Sequence, residues 1–277
     1  MIDSEILAYY ESAPEETRLE SWAGKLEGMR TRELLLRHLP PAPATIADIG
    51  GGAGAYSFWL AERGYDVHLI DAVPRLIDVA TAHNASAKHP LRSMRVGDAR
   101  ALGDALQSVD VVLLLGPLYH LQDRSDRLTA LREAHRVLRP GGLLIAAAIS
   151  RFASALDGLS REILEDPAFA RIVSRDLASG HHENNTERLD YFTTAFFHHP
   201  DELRSEVSAS GFQLSALYGI EGPGWILTDL DERLRDPARC EIVLQVARAL
   251  ESEASVLGCS AHLLIVAQKA NEGRAIC

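Results

Sequence analysis

From about residue 45 onward, short and nearly continuous apolar runs alternate with stretches of helical spacing. Residues 45–49, 66–70, 92–96, 110–115 and 143–149 read as strands, with helices at 56–63, 75–87 and 124–138 between them. Val111-Val112-Leu113-Leu114-Leu115 has no polar alternate, as suits a strand covered by helices on both faces. The alternation predicts an α/β doubly wound, Rossmann-like sheet with right-handed crossovers. Residues 1–40 carry a different pattern. Leu26, Met29, Leu35, Leu36 and Leu39 mark one helical face and Pro40-Pro41 ends it, predicting an N-terminal helical arm.

After Ile149 the rhythm breaks. Residues 150–199 are polar and helical but rich in histidine and aromatics, and are expected to form a cap insertion. Pro200 restarts the core pattern, with a strand at 213–218, and residues 200–277 complete the core around a second insertion at 222–258. A final strand spans 261–268. On this reading 1–40 is the arm and 41–149 the ligand-binding core. Both insertions fall at strand C-terminal ends, the edge where such sheets bind ligands.

The chemistry concentrates in Ala47-Asp48-Ile49-Gly50-Gly51-Gly52-Ala53-Gly54, a glycine-rich turn leaving the first strand. Glycines there accept positive φ and admit a ligand close to the backbone. A nucleoside ligand is expected. Gly50-x-Gly52-x-x-Ala55 with Asp71 about twenty residues on also satisfies the dinucleotide fingerprint, which keeps a nicotinamide-dependent oxidoreductase open. Three features favour another ligand. Asp48 would repel a pyrophosphate but welcome a cation. Gly97-Asp98-Ala99 supplies a second acid at a strand end. Arg139-Pro140-Gly141-Gly142 turns sharply into the strand at 143–149.

With these motifs, residues 44–149 resemble the class I S-adenosylmethionine-dependent methyltransferases. The resemblance implies a seven-stranded, mostly parallel sheet whose last strand is antiparallel, with S-adenosyl-L-methionine as cofactor. It implies that Asp71 accepts from the ribose hydroxyls, and that Asp98 and the Ala99 N–H read the adenine. Gly50 and Gly52 would line the methionine portion, with Asp48 acting nearby directly or by ordering the loop. Leu115 would lead to the methyl group, with Tyr119 and His120 facing the acceptor; His120 has a pKa suited to a general base. In the arm, Tyr10 is expected over the cofactor and Arg30 at the methionine carboxylate. From the cap, His182 is expected at the acceptor. Methyl transfer to an N, O or C nucleophile by in-line displacement follows. A non-catalytic relative and an aminopropyl transferase are the remaining alternatives.

Charge and composition narrow the acceptor. A formal net charge of −11 opposes a nucleic acid partner, which needs a basic face, and favours a small-molecule acceptor. No apolar run is long enough for a membrane span. The acidic N-terminus is unlike a signal peptide, and three cysteines without C-x-x-C spacing suit reduced thiols, so a cytoplasmic protein is expected, monomeric or homodimeric. No metal is expected: adjacent residues such as His181 and His182 diverge in direction and cannot chelate together.

Overall fold

The computed structural model describes residues 4–12, 15–103, 108–186 and 188–271. The arm contains α1 (Ser4–Ser12) and α2 (Trp22–His38), with a 3₁₀ turn at Glu15–Glu20 between them. The core follows as β1 (Thr45–Ile49), α3 (Ala55–Ala61), β2 (Asp66–Asp71), α4 (Pro74–Asn84), β3 (Ser93–Val96), β4 (Val109–Leu114), α5 (Pro117–His120), α6 (Arg124–Val137) and β5 (Leu138–Ile149). Residues 150–199 hold α7 (Ala153–Ser160), α8 (Pro167–Ser179) and a two-stranded ribbon of β6 (His181–His182) and β7 (Ala195–Phe196). Then come α9 (Pro200–Ala209), β8 (Phe212–Gly219), α10 (Leu230–Arg235), α11 (Pro237–Leu250) and β9 (His262–Lys269).

The seven-stranded sheet runs β3-β2-β1-β4-β5-β9-β8. β9 is antiparallel to both of its neighbours, and every other pairing in the sheet is parallel. Strand order reverses between β1 and β4, so the crevice for a ligand opens at their carboxyl ends. Local signals set the helices. Proline at the first turn starts α4, α5, α8, α9 and α11, where its missing N–H costs nothing. Asp166 and Asp236 cap α8 and α11 by accepting from backbone amides.

Apolar side chains fill both faces. Leu131, Ala134 and Val207 pack one face against Val112 and Leu144, while Leu34, Leu35 and Leu60 pack the other against Ile46 and Leu69. The second insertion seats Trp225, Leu230 and Val243 on Leu26 of the arm.

Two expectations are corrected. The buried stripe of α2 contains Leu26, Arg30, Thr31, Leu34 and Leu35, whereas Met29 and Leu36 are exposed. A charged residue inside the stripe rotates the apparent apolar face. β5 also begins five residues earlier than its apolar run, because Arg139–Gly142 continues the ladder through a register shift opposite Val109 and Val111.

Candidate active site

The turn after β1 is built on its own backbone. Gly50 adopts φ +71°, and a Cβ there would lie 2.5 Å from Pro117, so the loop and the start of α5 touch only because residue 50 is glycine. A Cβ at Gly51 would lie 2.5 Å from Asp48 Oδ2. The amide of Gly52 donates to Asp71 Oδ2 at 2.8 Å, and the amide of Val73 donates to Oδ1 at 2.8 Å. Asp71 therefore ties the ends of β1 and β2 together while lining the cleft. Burial pushes its carboxyl above the usual range, opposed by those amides.

Asp48 is buried beneath the same loop. Its Oδ2 accepts from Ser57 Oγ at 2.7 Å, and its Oδ1 has no hydrogen-bond partner among the described residues. Burial pushes this carboxyl up to about 6, with the Ser57 bond opposing and nearby Asp71 adding to the rise. Asp98 lies in the opposite condition. Arg100 bonds both of its oxygens, at 2.9 and 2.6 Å, and holds the carboxyl down to about 2. The same guanidinium reaches Asp126 at the start of α6.

At the other end, Leu115, Gly116 and Pro117 lead from β4 into α5, which presents Tyr119 and His120. Burial pushes the His120 imidazole down to about 4, with the Thr194 backbone opposing, so it is neutral near pH 7. The Tyr10 hydroxyl lies 2.7 Å from His120 Nε2, with the two rings edge to face. One cavity of about 710 Å³ joins the glycine loop, Asp71, Asp98, Ala99, Tyr119 and His120. That size is ordinary for a small-molecule site.

Two expected residues lie elsewhere. Arg30 is fully buried outside the cavity lining, donating to Glu33, Glu251 and the Ile220 carbonyl. Its place in the inward stripe of α2 turns it towards α11 and the loop after β8. His182 is likewise absent from the lining. Its Nδ1 meets Asp176 at 2.9 Å, its Nε2 the Tyr191 carbonyl at 2.8 Å, and its ring stacks on Phe197. It organises the 150–199 segment instead of facing an acceptor. No described residue of 150–199 lines the cavity; the segment packs behind Tyr119 through Phe192, Ala195 and Phe197.

The arm supplies what the cap was expected to supply. Ile6, Tyr10, Arg18 and Leu19 all line the cavity. Arg18 is held by the buried carboxylate of Glu27, at 3.0 Å for its second bond. Nothing in the apolar pattern of the arm marks Arg18 as a cavity residue; its pairing with Glu27, nine residues on, is what holds it there. Glu27, Glu221 and His262 also come within metal-ligand spacing of one another. Arg18 occupies Glu27, however, and His262 Nδ1 bonds Glu221 at 2.6 Å. Burial opposes charge on His262, but Glu27 and Glu221 outweigh it and hold its pKa up. The Arg18 guanidinium and the His262 imidazole thus already partner the two carboxylates.

Comparison with known proteins converges on this cleft. Residues 47–146 match a methyltransferase domain family. A ubiquinone biosynthesis O-methyltransferase from Azorhizobium caulinodans is 33% identical over 201 residues, covering 68% of this chain and 70% of the relative. The chain belongs to the S-adenosylmethionine-dependent methyltransferases. A second relative of the same description, from Cereibacter sphaeroides, is 30% identical over 201 residues, covering 70% of this chain and 71% of the relative. The methyltransferase also shares its fold with an S-adenosylmethionine-dependent methyltransferase from Mesorhizobium loti, with TM-score 0.59, 18% identity and coverage of 88% and 100%. The CcbJ methyltransferase from Streptomyces caelestis gives TM-score 0.58 and 17% identity, covering 96% of each chain.

S-adenosyl-L-methionine is the methyltransferase's cofactor, and the cleft fits it. Cβ-intolerant glycines form its floor, and Asp48 offers a buried oxygen in need of a cationic or donating partner. No helix among the described residues is long and apolar enough to cross a membrane.

Proposed function

We propose that this methyltransferase methylates a hydroxyl oxygen of a small aromatic molecule, by in-line displacement and without a metal. The cofactor supplies a methyl group on a sulfonium, whose sulfur departs as a neutral thioether. Asp71 holds the ribose hydroxyls, and Asp98 with the Ala99 amide holds the adenine, as charge-assisted acceptor and backbone donor. Gly50 and Gly52 border the methionine portion. Asp48 attracts its ammonium, and Arg18, already paired with Glu27, presents its positive charge to the carboxylate. Leu115 and Tyr119 flank the acceptor.

The observation that carries the reading is a neutral His120 in the same cavity as the glycine loop. With a pKa of about 4 the imidazole is neutral at pH 7 but a weak base, suited to accept the acceptor hydroxyl's hydrogen bond and align its oxygen, with the proton passing on as the methyl group transfers. Aromatic neighbours Tyr119 and Phe192 around it suit a flat apolar acceptor. The relatives' description as O-methyltransferases points the same way. With an excellent leaving group already present, the residues contribute mainly alignment and exclusion of water.

The test is methyl transfer from labelled cofactor to catechol, p-cresol and simple aromatic amines, with products identified by mass and the enzyme pretreated with a chelator. Methyl ethers formed at an undiminished rate after chelation support the proposal. Label in the amines alone, or a rate abolished by the chelator and restored by a divalent cation, would overturn it.

A further inference from the structure

We propose that the Tyr10 side chain is an internal stand-in for the acceptor: its phenol occupies the acceptor's seat at His120, and the acceptor enters by displacing it. This rests on His120 being the group that receives the acceptor hydroxyl. The Tyr10 hydroxyl lies 2.7 Å from His120 Nε2, the distance at which an acceptor hydroxyl would have to lie for its proton to be taken. Both residues line the cavity that holds the glycine loop. A single Nε2 lone pair cannot serve two hydroxyls, so the two phenols exclude each other.

Tyr10 is carried by a short helix. α1 brings Ile6 and Tyr10 to the cavity wall. Thr194 Oγ1 donates to Glu5 at 2.6 Å, Arg75 donates to the Tyr10 carbonyl at 2.9 Å, and Tyr9 meets Phe192 edge to face at 5.7 Å. Ile6 is its one buried side chain. Tyr119 lines the seat, and Tyr9 and Phe192 stand behind it as ring neighbours of the Tyr10–His120 pair. A seat that fits a tyrosine side chain selects acceptors of that shape, a single hydroxylated aromatic ring with room for a substituent opposite the hydroxyl. Purely aliphatic alcohols would not recover the edge-to-face contacts.

p-Cresol, which is the tyrosine side chain itself, tests the assignment directly. Its binding to full-length protein loaded with S-adenosylhomocysteine is measured by calorimetry for the natural chain, Tyr10→Ala and Tyr10→Phe, with toluene as the control lacking a hydroxyl. In Tyr10→Ala the vacated seat should bind p-cresol at least tenfold more tightly than the natural chain does, and more tightly than toluene. In Tyr10→Phe, where displacement no longer breaks a hydrogen bond, p-cresol should gain several-fold. Tyr10→Ala also removes ring contacts that hold α1, so Tyr10→Phe, which keeps the ring, serves as the decisive variant. Equal p-cresol affinity in the natural chain and Tyr10→Phe, or no preference over toluene in either variant, would overturn the stand-in. If the natural chain makes methyl ethers while these affinities do not move, Tyr10 fails and the oxygen-acceptor reading survives. If the affinities move but only amines are methylated, the seat stands and that reading falls.

Discussion

The Ser57 hydroxyl donates to Asp48 Oδ2 across 2.7 Å, and that bond is the only one the Asp48 carboxylate makes among the described residues. It joins the end of β1 to the first turn of α3 beneath the glycine loop, and it leaves a buried carboxylate half satisfied. The rise of this carboxyl from 3.8 to about 6 is equivalent to about 3 kcal/mol. A raised folded pKa contributes stability that is complete below pH 3.8 and lost as pH rises through about 6. Asp48→Asn should therefore melt higher than the natural protein at pH 8, with the gap closing by pH 4. It should also bind S-adenosylmethionine at least tenfold more weakly, because the cation has lost its counter-charge. Calorimetric melting at the two pH values and a binding titration check both halves.

Asp71→Ala should weaken cofactor binding by several tens-fold, since loss of a doubly bonded carboxylate costs about 2 kcal/mol or more. The amides of Gly52 and Val73 lose their acceptor in the same substitution. The loop should loosen as well as lose affinity. Isothermal titration with S-adenosylhomocysteine, alongside hydrogen exchange at residues 50–54, separates the two effects.

His120 should give no ascending limb near pH 6.5 in the rate profile. Its proton is lost near pH 4, so the base form is fully populated at neutral pH. In stability terms the sign is opposite to that of Asp48. A histidine whose folded pKa is depressed from 6.5 to about 4 makes the fold lose stability as pH falls through that window. The two contributions oppose each other in the natural protein. Asp48→Asn should thus reveal a steeper acid-side loss, measured by denaturant unfolding between pH 4 and 7.

His182→Ala should destabilise without disturbing the cofactor. The substitution leaves Asp176 buried with only Ser154 to satisfy it. Leaving a buried acceptor without one of its hydrogen-bond partners costs about 1–3 kcal/mol. Unfolding midpoints should fall accordingly, while affinity for S-adenosylhomocysteine stays within twofold.

The sheet, its order around β1 and β4, and the cofactor cleft were legible because their signals are local. Glycines, strand-terminal acids and apolar runs sit next to one another in the chain, and the structure brings Asp71 and Asp98 to one cavity with the glycine loop. Arg30 and His182 were misassigned because their partners are distant or hidden in an irregular segment. Glu251 lies 221 residues from Arg30, and nothing local announces that it neutralises a buried guanidinium. For His182, Asp176 is close in sequence and falls on the buried stripe of α8 with Phe169, Ile172 and Val173, but an acid on an apolar face does not name its partner. Aromatic content drew attention to 150–199, whereas its rings mostly pack on one another and on α5. The short, weakly patterned α1 drew less attention and faces the cavity.

α1 has nine residues, too few to remain helical in water once its contacts are gone. If Tyr10 is displaced as proposed, α1 would not swing aside as a rigid door: it would lose its helix together with its contacts, trading the enthalpy of a docked helix for the freedom of a coil. Access to the chemistry should accordingly quicken steeply with temperature and with mild denaturant, well below the conditions that disturb the sheet.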